Sequence, residues 1–192
     1  MPSGNGRPDG SGIVILGAVL AGGLSTRFGT DKALACLDGV TLLDRAIASL
    51  AAQCDDVVVV GREVPGMTCV ADWPAPHMGP LAGVAGALRH GATHGYAAVL
   101  TTSVDAIGLG PDLAEQLSPA PAFLASQPVI GLWPTSAAAD AEAILTSSGR
   151  HAMRALADRL DARAITLVTP PANINTPADL AALAPSETRH GL

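Results

Sequence analysis

A three-layer, Rossmann-like α/β fold, with a mostly parallel sheet and helices on both faces, is predicted by three features of this sequence. Strand-like and helix-like segments alternate along the chain. Three strand-like runs, 13–20, 57–60 and 97–101, are almost wholly apolar, as suits strands buried on both faces. The core material is small: 48% of residues are apolar but only 3% aromatic, so Ala, Val, Leu and Gly must pack helices closely onto the sheet. A length of 192 residues suits one such domain, read as 13–185, and is short for two.

The elements follow in order. The strand 13–20 empties into a loop of glycines, hydroxyl residues and cations. Thr41 begins a helix, with Asp44 three residues on and Leu43, Ala46, Ile47 and Leu50 at helical spacing. The β-branched run 57–60 reads as a central strand and 67–70 as a shorter one. Gly79-Pro80 opens the next helix with proline at its first position, and Leu81, Val84, Ala85 and Leu88 form its buried stripe. The strand 97–101 ends in Thr102-Ser103-Val104-Asp105. Pro111 then starts a helix whose first turn carries Asp112 and Glu115, where they suit the dipole. Residues 122–125 and 129–133 read as paired antiparallel strands. Residues 137–145 and 152–160 read as helices, and 164–168 as a late strand. Thr176-Pro177-Ala178-Asp179 caps a final helix. The Gly-, Pro- and Ser-rich residues 1–12 read as a disordered tail and 186–192 as a frayed one.

Composition excludes several classes of function. A formal charge of −6 would repel a nucleic acid. No apolar run is long enough to span a membrane without Gly, Pro or charge interrupting it. Cys36, Cys54 and Cys69 are odd in number and lack metal-site spacing, so they read as small buried hydrophobes in a reducing compartment. With no apolar signal core at the N-terminus, a cytoplasmic protein is expected. There is no Gly-x-Ser-x-Gly elbow and no Cys–His signature for acyl chemistry.

The most informative segment runs from Val19 to Lys32, VLAGGLSTRFGTDK. Gly22 and Gly23 can take positive φ and have no Cβ to hold a phosphate away, while Arg27 and Lys32 supply charge for phosphate oxygens. A Walker A loop does not fit, because Gly29 is followed by Thr30-Asp31-Lys32-Ala33. A dinucleotide turn does not fit either, since Gly22-Gly23-Leu24 lacks the Gly-x-Gly-x-x-Gly spacing. The loop therefore points to a nucleoside triphosphate and to nucleotidyl transfer.

In an open parallel sheet, ligands collect beyond the carboxyl ends of the strands. The glycine loop and Asp105 both fall at such ends, and Asp72 follows the short strand 67–70. Together they form a phosphate cradle with carboxylates suited to Mg²⁺, an ion that takes one or two protein carboxylates and leaves its other positions to phosphates and water. Each residue also has a plain structural reading: Lys32 as a solvated loop lysine, Asp105 and Asp72 as turn formers. His77 and His151 read as surface or turn residues.

The string Leu20-Ala21-Gly22-Gly23, Arg27-Phe28-Gly29, Asp31-Lys32 resembles the opening motif of the molybdenum cofactor guanylyltransferases, part of the nucleotidyltransferase group that also makes nucleotide sugars. Further similar stretches follow in the family's order: Gly79-Pro80-Leu81-Ala82-Gly83, the Asp105 strand end, Gln127 to Pro134, and Asn173-Ile174-Asn175-Thr176-Pro177-Ala178-Asp179-Leu180. The resemblance covers 14–183 and implies a nucleotide-diphospho-sugar-transferase-like fold. It implies that Leu20, Ala21 and Gly22 contact GTP, that Lys32 binds its phosphates, that Asp72 contacts the nucleotide and that Asp105 holds Mg²⁺. The catalytic pair it implies is Lys32 and Asp105. Two departures stand out. Val59-Val60-Gly61 lacks the Asn frequent at that strand end, and Val104-Asp105-Ala106-Ile107 replaces the usual Cys-Asp-x-Pro.

The implied reaction is attack by the terminal phosphate of Mo-molybdopterin on the α-phosphorus of GTP, which makes molybdopterin guanine dinucleotide and releases pyrophosphate. Molybdoenzyme chaperones are further candidate partners; nucleic acid and membrane are not. A CTP-using relative is the first alternative. Such enzymes tend to read Leu-Ala-Ala-Gly, whereas Gly22-Gly23 here favours GTP. A non-catalytic GTP-binding module is the second alternative.

Overall fold

The computed structural model describes residues 13–23, 28 and 31–183, so the expected tails 1–12 and 186–192 and the loop cation Arg27 lie outside the described residues. The chain runs β1 (Ile15–Leu20), β2 (Cys36–Leu37), β3 (Val40–Thr41), α1 (Leu42–Ala51), β4 (Asp56–Val60), β5 (Thr68–Val70), α2 (Pro80–Thr93) and β6 (Ala98–Ser103). It continues through β7 (Ala106–Ile107), α3 (Leu113–Gln116), β8 (Ala122–Leu124), β9 (Gln127–Pro134), α4 (Ala138–Leu145) and α5 (Met153–Arg159). The last elements are β10 (Arg163–Ile165), β11 (Ala172–Asn173) and α6 (Pro177–Leu183).

Seven strands form the main sheet in the order β10-β8-β9-β6-β1-β4-β5. β1 pairs in parallel with β4 on one side and β6 on the other, and β5 extends the parallel set beyond β4. β9 is antiparallel to β8, as expected of the runs 122–125 and 129–133, and it is antiparallel to β6 as well. The register matters for function. Leu20 lies opposite both Val60 and Ser103, so the carboxyl ends of β1, β4 and β6 finish level with one another.

Both faces of the sheet are covered, which is why β1 reads as an unbroken apolar run. Leu16 and Ala18 point into a cluster with Leu81, Leu88 and Leu156 from α2 and α5. Ile15 and Val19 point the other way, towards Leu43, Leu50 and Leu113 from α1 and α3. Period-two alternation feeds two cores from one strand. Burying each of these leucines contributes about 1.5–3 kcal/mol.

Local signals set the helix starts. Thr41 caps α1, its Oγ1 accepting from the Asp44 N–H at 3.0 Å. Gly79, at φ 83°, precedes Pro80 at the start of α2. The expected stripe on α2 is buried, but so are Ala82, Gly83, Gly86, Ala87 and Gly91, because α2 is covered by the sheet and by α4.

Several boundaries differ from the expectation. The helix expected from Pro111 is a single turn, Leu113–Gln116, because Pro119 and Pro121 follow closely and cannot donate a helical hydrogen bond. The strand expected at 164–168 stops at Ile165, and Val168 is wholly exposed. Cys36 is exposed and Cys54 and Cys69 are half-buried, Cys54 against the core, so none of the three is the fully buried residue expected. The two-residue ladders β2–β3 and β7–β11 leave too little pattern to be read in advance.

α2 also carries the segment that bears Asp72. Trp73 N–H donates to the Ala82 carbonyl at 3.0 Å, and the Arg89 guanidinium lies 3.6 Å from the Trp73 ring centroid. A Cβ at Gly86 would stand 2.2 Å from the Ala71 carbonyl oxygen. Gly86→Ala is therefore expected to cost about 1–3 kcal/mol by overpacking, read as a lower midpoint in urea unfolding.

Candidate active site

The level strand ends floor a cavity of about 430 Å³ that is lined by Leu20, Ala21, Gly22, Lys32, Asp72 and Asp105. These are the six residues singled out in the sequence, and tertiary structure brings all of them to one wall-to-wall space. Leu20 to Gly22 continue β1, Asp72 comes from beyond β5, and Asp105 lies two residues past β6.

The glycine loop is held low by the backbone. Ala21 N–H donates to the Val60 carbonyl at 2.9 Å, and Gly61 N–H donates to the Val70 carbonyl at 2.9 Å. Gly22 does not use the positive φ expected of it; its missing Cβ serves a different contact. A Cβ on Gly22 would stand 3.0 Å from Gly61 Cα and 3.1 Å from its carbonyl oxygen. Gly61, at φ +82°, is the left-handed residue, and a Cβ there would meet Gly22 Cα at 2.7 Å. The strand end that lacks the expected Asn thus presents Val60 to the cavity and Gly61 to the loop.

Lys32 is 9% exposed, not the solvated lysine of the plain reading. It sits in a short 3₁₀ turn, Lys32–Leu34, which Asp31 caps by accepting the Ala33 N–H at 3.1 Å. Its Nζ donates to Asp105 Oδ2 at 3.0 Å, a pair with side-chain exposures of 11% and 26%. The other carboxylate oxygen, Oδ1, accepts a short hydrogen bond from the Ser103 hydroxyl. A charge-assisted pair so shielded keeps most of its Coulomb attraction, while the hydroxyl offsets part of the desolvation cost.

The closing motif holds the Asp105 turn in place. β11 pairs antiparallel with β7, and Ile174 N–H donates to the Asp105 carbonyl at 2.9 Å. The turn, which lacks the expected proline, is thus braced through its backbone. Ile174 also packs with Phe28, Leu37 and Leu42, so the apolar residue of the opening motif meets that of the closing one. That partnership was missed in the sequence, although Phe28 and Ile174, each set among polar residues, are a visible signal. Asp179 accepts from Asn175 N–H and Thr176 N–H, both at 2.8 Å. Those two donors, then the Thr176 hydroxyl and lastly the Lys32 charge, hold its carboxyl below the usual range.

A second cavity of about 680 Å³ adjoins the first and shares Pro80, Ser103, Asp105 and Val129 with it. Gln127, His151, Arg154 and Asn173 line its far side. His77, at φ 64°, lines the first cavity, so the two histidines read as turn or surface residues stand at cavity walls.

Among the described residues no group of three or more His, Cys, Asp or Glu side chains could hold a metal ion. Asp105 offers one carboxylate beside space for phosphates. That donor set fits a divalent ion arriving with a triphosphate and keeping its waters, the Mg²⁺ type of coordination, and does not suit a caged structural ion.

A family model for the MobA-like NTP transferase domain matches residues 17–164. The chain belongs to the MobA-like NTP transferase family. A molybdenum cofactor guanylyltransferase of Acidiphilium cryptum is 36% identical over 186 residues, covering 90% of this chain and 95% of that protein. Among solved structures, molybdopterin-guanine dinucleotide biosynthesis protein A of Archaeoglobus fulgidus aligns over 87% of this chain and 95% of its own, with a TM-score of 0.69 at 21% identity. A Mycobacterium tuberculosis protein solved in complex with manganese aligns over 90% and 98%, with a TM-score of 0.60 at 16% identity. The mostly parallel α/β architecture is that of this MobA-like family. No helix among the described residues is long and apolar enough to cross a membrane.

In this MobA-like chain the Gly22–Gly61 contact yields a direct expectation. Gly22→Ala should push the loop off Gly61 and cost about 1–3 kcal/mol. Thermal melts would show the loss, and nucleotide binding should weaken for GTP and CTP alike.

Proposed function

We propose that this protein transfers GMP from GTP to the terminal phosphate of Mo-molybdopterin in the cytoplasm, forming molybdopterin guanine dinucleotide and releasing pyrophosphate. The observation that carries this reading is the Lys32–Asp105 pair at 3.0 Å, with Asp105 on the shared wall of two adjoining cavities. One cavity takes the triphosphate between the glycine loop, Asp72 and Lys32. The other presents the acceptor phosphate to the same carboxylate from the opposite side. The curated relative's name supports the choice of GTP and of the acceptor.

The chemistry asks little of the side chains beyond placement and charge. An acceptor phosphate oxygen attacks the α-phosphorus of GTP in line; the new P–O bond forms as the bond to the β-phosphate oxygen breaks. A phosphate monoester is ionised near neutral pH, so no base need remove a proton. Backbone N–H groups of the glycine loop and the Lys32 ammonium neutralise charge that develops on the phosphate oxygens. Asp105 would hold Mg²⁺, which when bound supplies further neutralisation of the triphosphate. On this reading Lys32 turns from Asp105 towards phosphate when the nucleotide enters, so the two charges are partners beforehand and divide their work afterwards.

Pyrophosphate release measured with purified acceptor and GTP, CTP, ATP or UTP tests the reading; GTP should be turned over fastest, and a preference for CTP would overturn it. Lys32→Met and Asp105→Asn should each lower kcat by about 10²–10³-fold, as removal of one preorganised charge does. Lys32→Met should in addition tighten Mn²⁺ binding to the nucleotide-free protein, followed by electron paramagnetic resonance, because the carboxylate loses its competing ammonium.

A further inference from the structure

We propose that Arg62 is a positioning residue for the phosphate-binding lysine. Its guanidinium donates from Nη1 to Asp31 Oδ1 at 3.0 Å and from Nη2 to Asp31 Oδ2 at 2.6 Å. This fork-on-carboxylate geometry fixes direction as well as distance. Asp31 is the cap of the turn that carries Lys32, so the guanidinium grips the base of that turn from across the sheet.

The topology gives the grip its meaning. β1 lies between β4 and β6, and the glycine loop leaves from its end. Arg62 follows β4 by two residues, and Asp105 follows β6 by two. Consecutive residues are therefore tied to opposite neighbours: Asp31 to the β4 side and Lys32 to the β6 side. Residues 31 and 32 thus link the two strand ends that flank β1.

The two ties differ in kind. The Lys32–Asp105 pair is shielded and must open when the ammonium turns to phosphate, a step that rests on the function proposed above. The Arg62–Asp31 pair has exposures of 24% and 43%, touches none of the reacting groups, and can persist throughout. An exposed pair contributes little to stability. What it supplies is a fixed pivot that keeps Lys32 within reach of the triphosphate after Asp105 lets go. The Asp31 carboxyl is held below its ordinary value chiefly by the Arg62 hydrogen bonds, in agreement with that geometry. Gly61 is the hinge that aims the arginine: its φ of +82° turns the chain back over Gly22 directly after β4.

The test compares wild type, Arg62→Ala, Arg62→Lys, Asp31→Ala and the Asp31/Arg62 double alanine variant. A fluorescent GTP analogue reports binding, pyrophosphate release reports turnover, and thermal melts report folding. Arg62→Ala is expected to weaken GTP binding and lower kcat/KM for GTP by about tenfold to a hundredfold, the range for a misplaced contact group. Its melting temperature and its KM for the acceptor should stay near wild type. Arg62→Lys should recover part of the loss, since one ammonium replaces a two-pronged fork. The double variant should be no worse than Asp31→Ala alone. Wild-type GTP affinity in Arg62→Ala, additive losses in the double variant, or a loss that tracks a lowered melting temperature would each overturn the clamp while leaving the proposed function standing. A wild-type protein that binds no triphosphate would overturn the function, and the clamp with it.

Discussion

One ion pair organises this molecule: the ammonium of Lys32 against the carboxylate of Asp105, 3.0 Å apart and largely shielded from water. Removing one partner of this part-buried pair leaves the other charge uncompensated, so each residue depends on the other. A triphosphate with its cation offers replacement partners to both. Under the proposed function, the electrostatics of this pair favour a ligand carrying both signs of charge.

Everything around the pair serves to bring two distant positions together. Asp105 is set by the β1–β6 register, by the Ser103 hydroxyl and by the Ile174 N–H. Lys32 is set by the Asp31 cap and the Phe28–Ile174 cluster flanking its loop. The closing motif thus meets the opening one on an apolar contact and the Asp105 turn through a backbone hydrogen bond. Neither involves a group that would touch substrate. A loop that must approach a phosphate closely needs rigid support from residues that do no chemistry.

The glycines show how a family pattern can have more than one physical cause. Gly22 was expected to matter through its freedom of φ and its open approach to phosphate. In the folded chain its backbone lies against Gly61, and the left-handed residue is Gly61 itself. A methyl group at position 22 would meet protein before it met any nucleobase. The Gly-versus-Ala difference is thus entangled, in this chain, with the packing of two neighbouring strand ends.

Much of this protein was legible from residue order alone. Unbroken apolar runs can be satisfied only by a sheet covered on both faces, and the alternation with helical periodicity made that sheet mostly parallel. Thr41 and Gly79-Pro80 carried the starts of α1 and α2 in their own chemistry. Gly22, Asp72 and Asp105 stand just beyond strands and Lys32 closes the glycine-rich motif, while Leu20 and Ala21 were singled out by the resemblance to the guanylyltransferases. Local pattern could not reveal the ladders of two residues or the exposure of Cys36, since each depends on what lies across a gap in sequence. The same holds for the Lys32–Asp105, Arg62–Asp31 and Gly22–Gly61 contacts. Composition and periodicity determine which faces must be buried; only the folded chain decides which charges meet, because Coulomb attraction and close packing act on distance in space and not on separation in sequence.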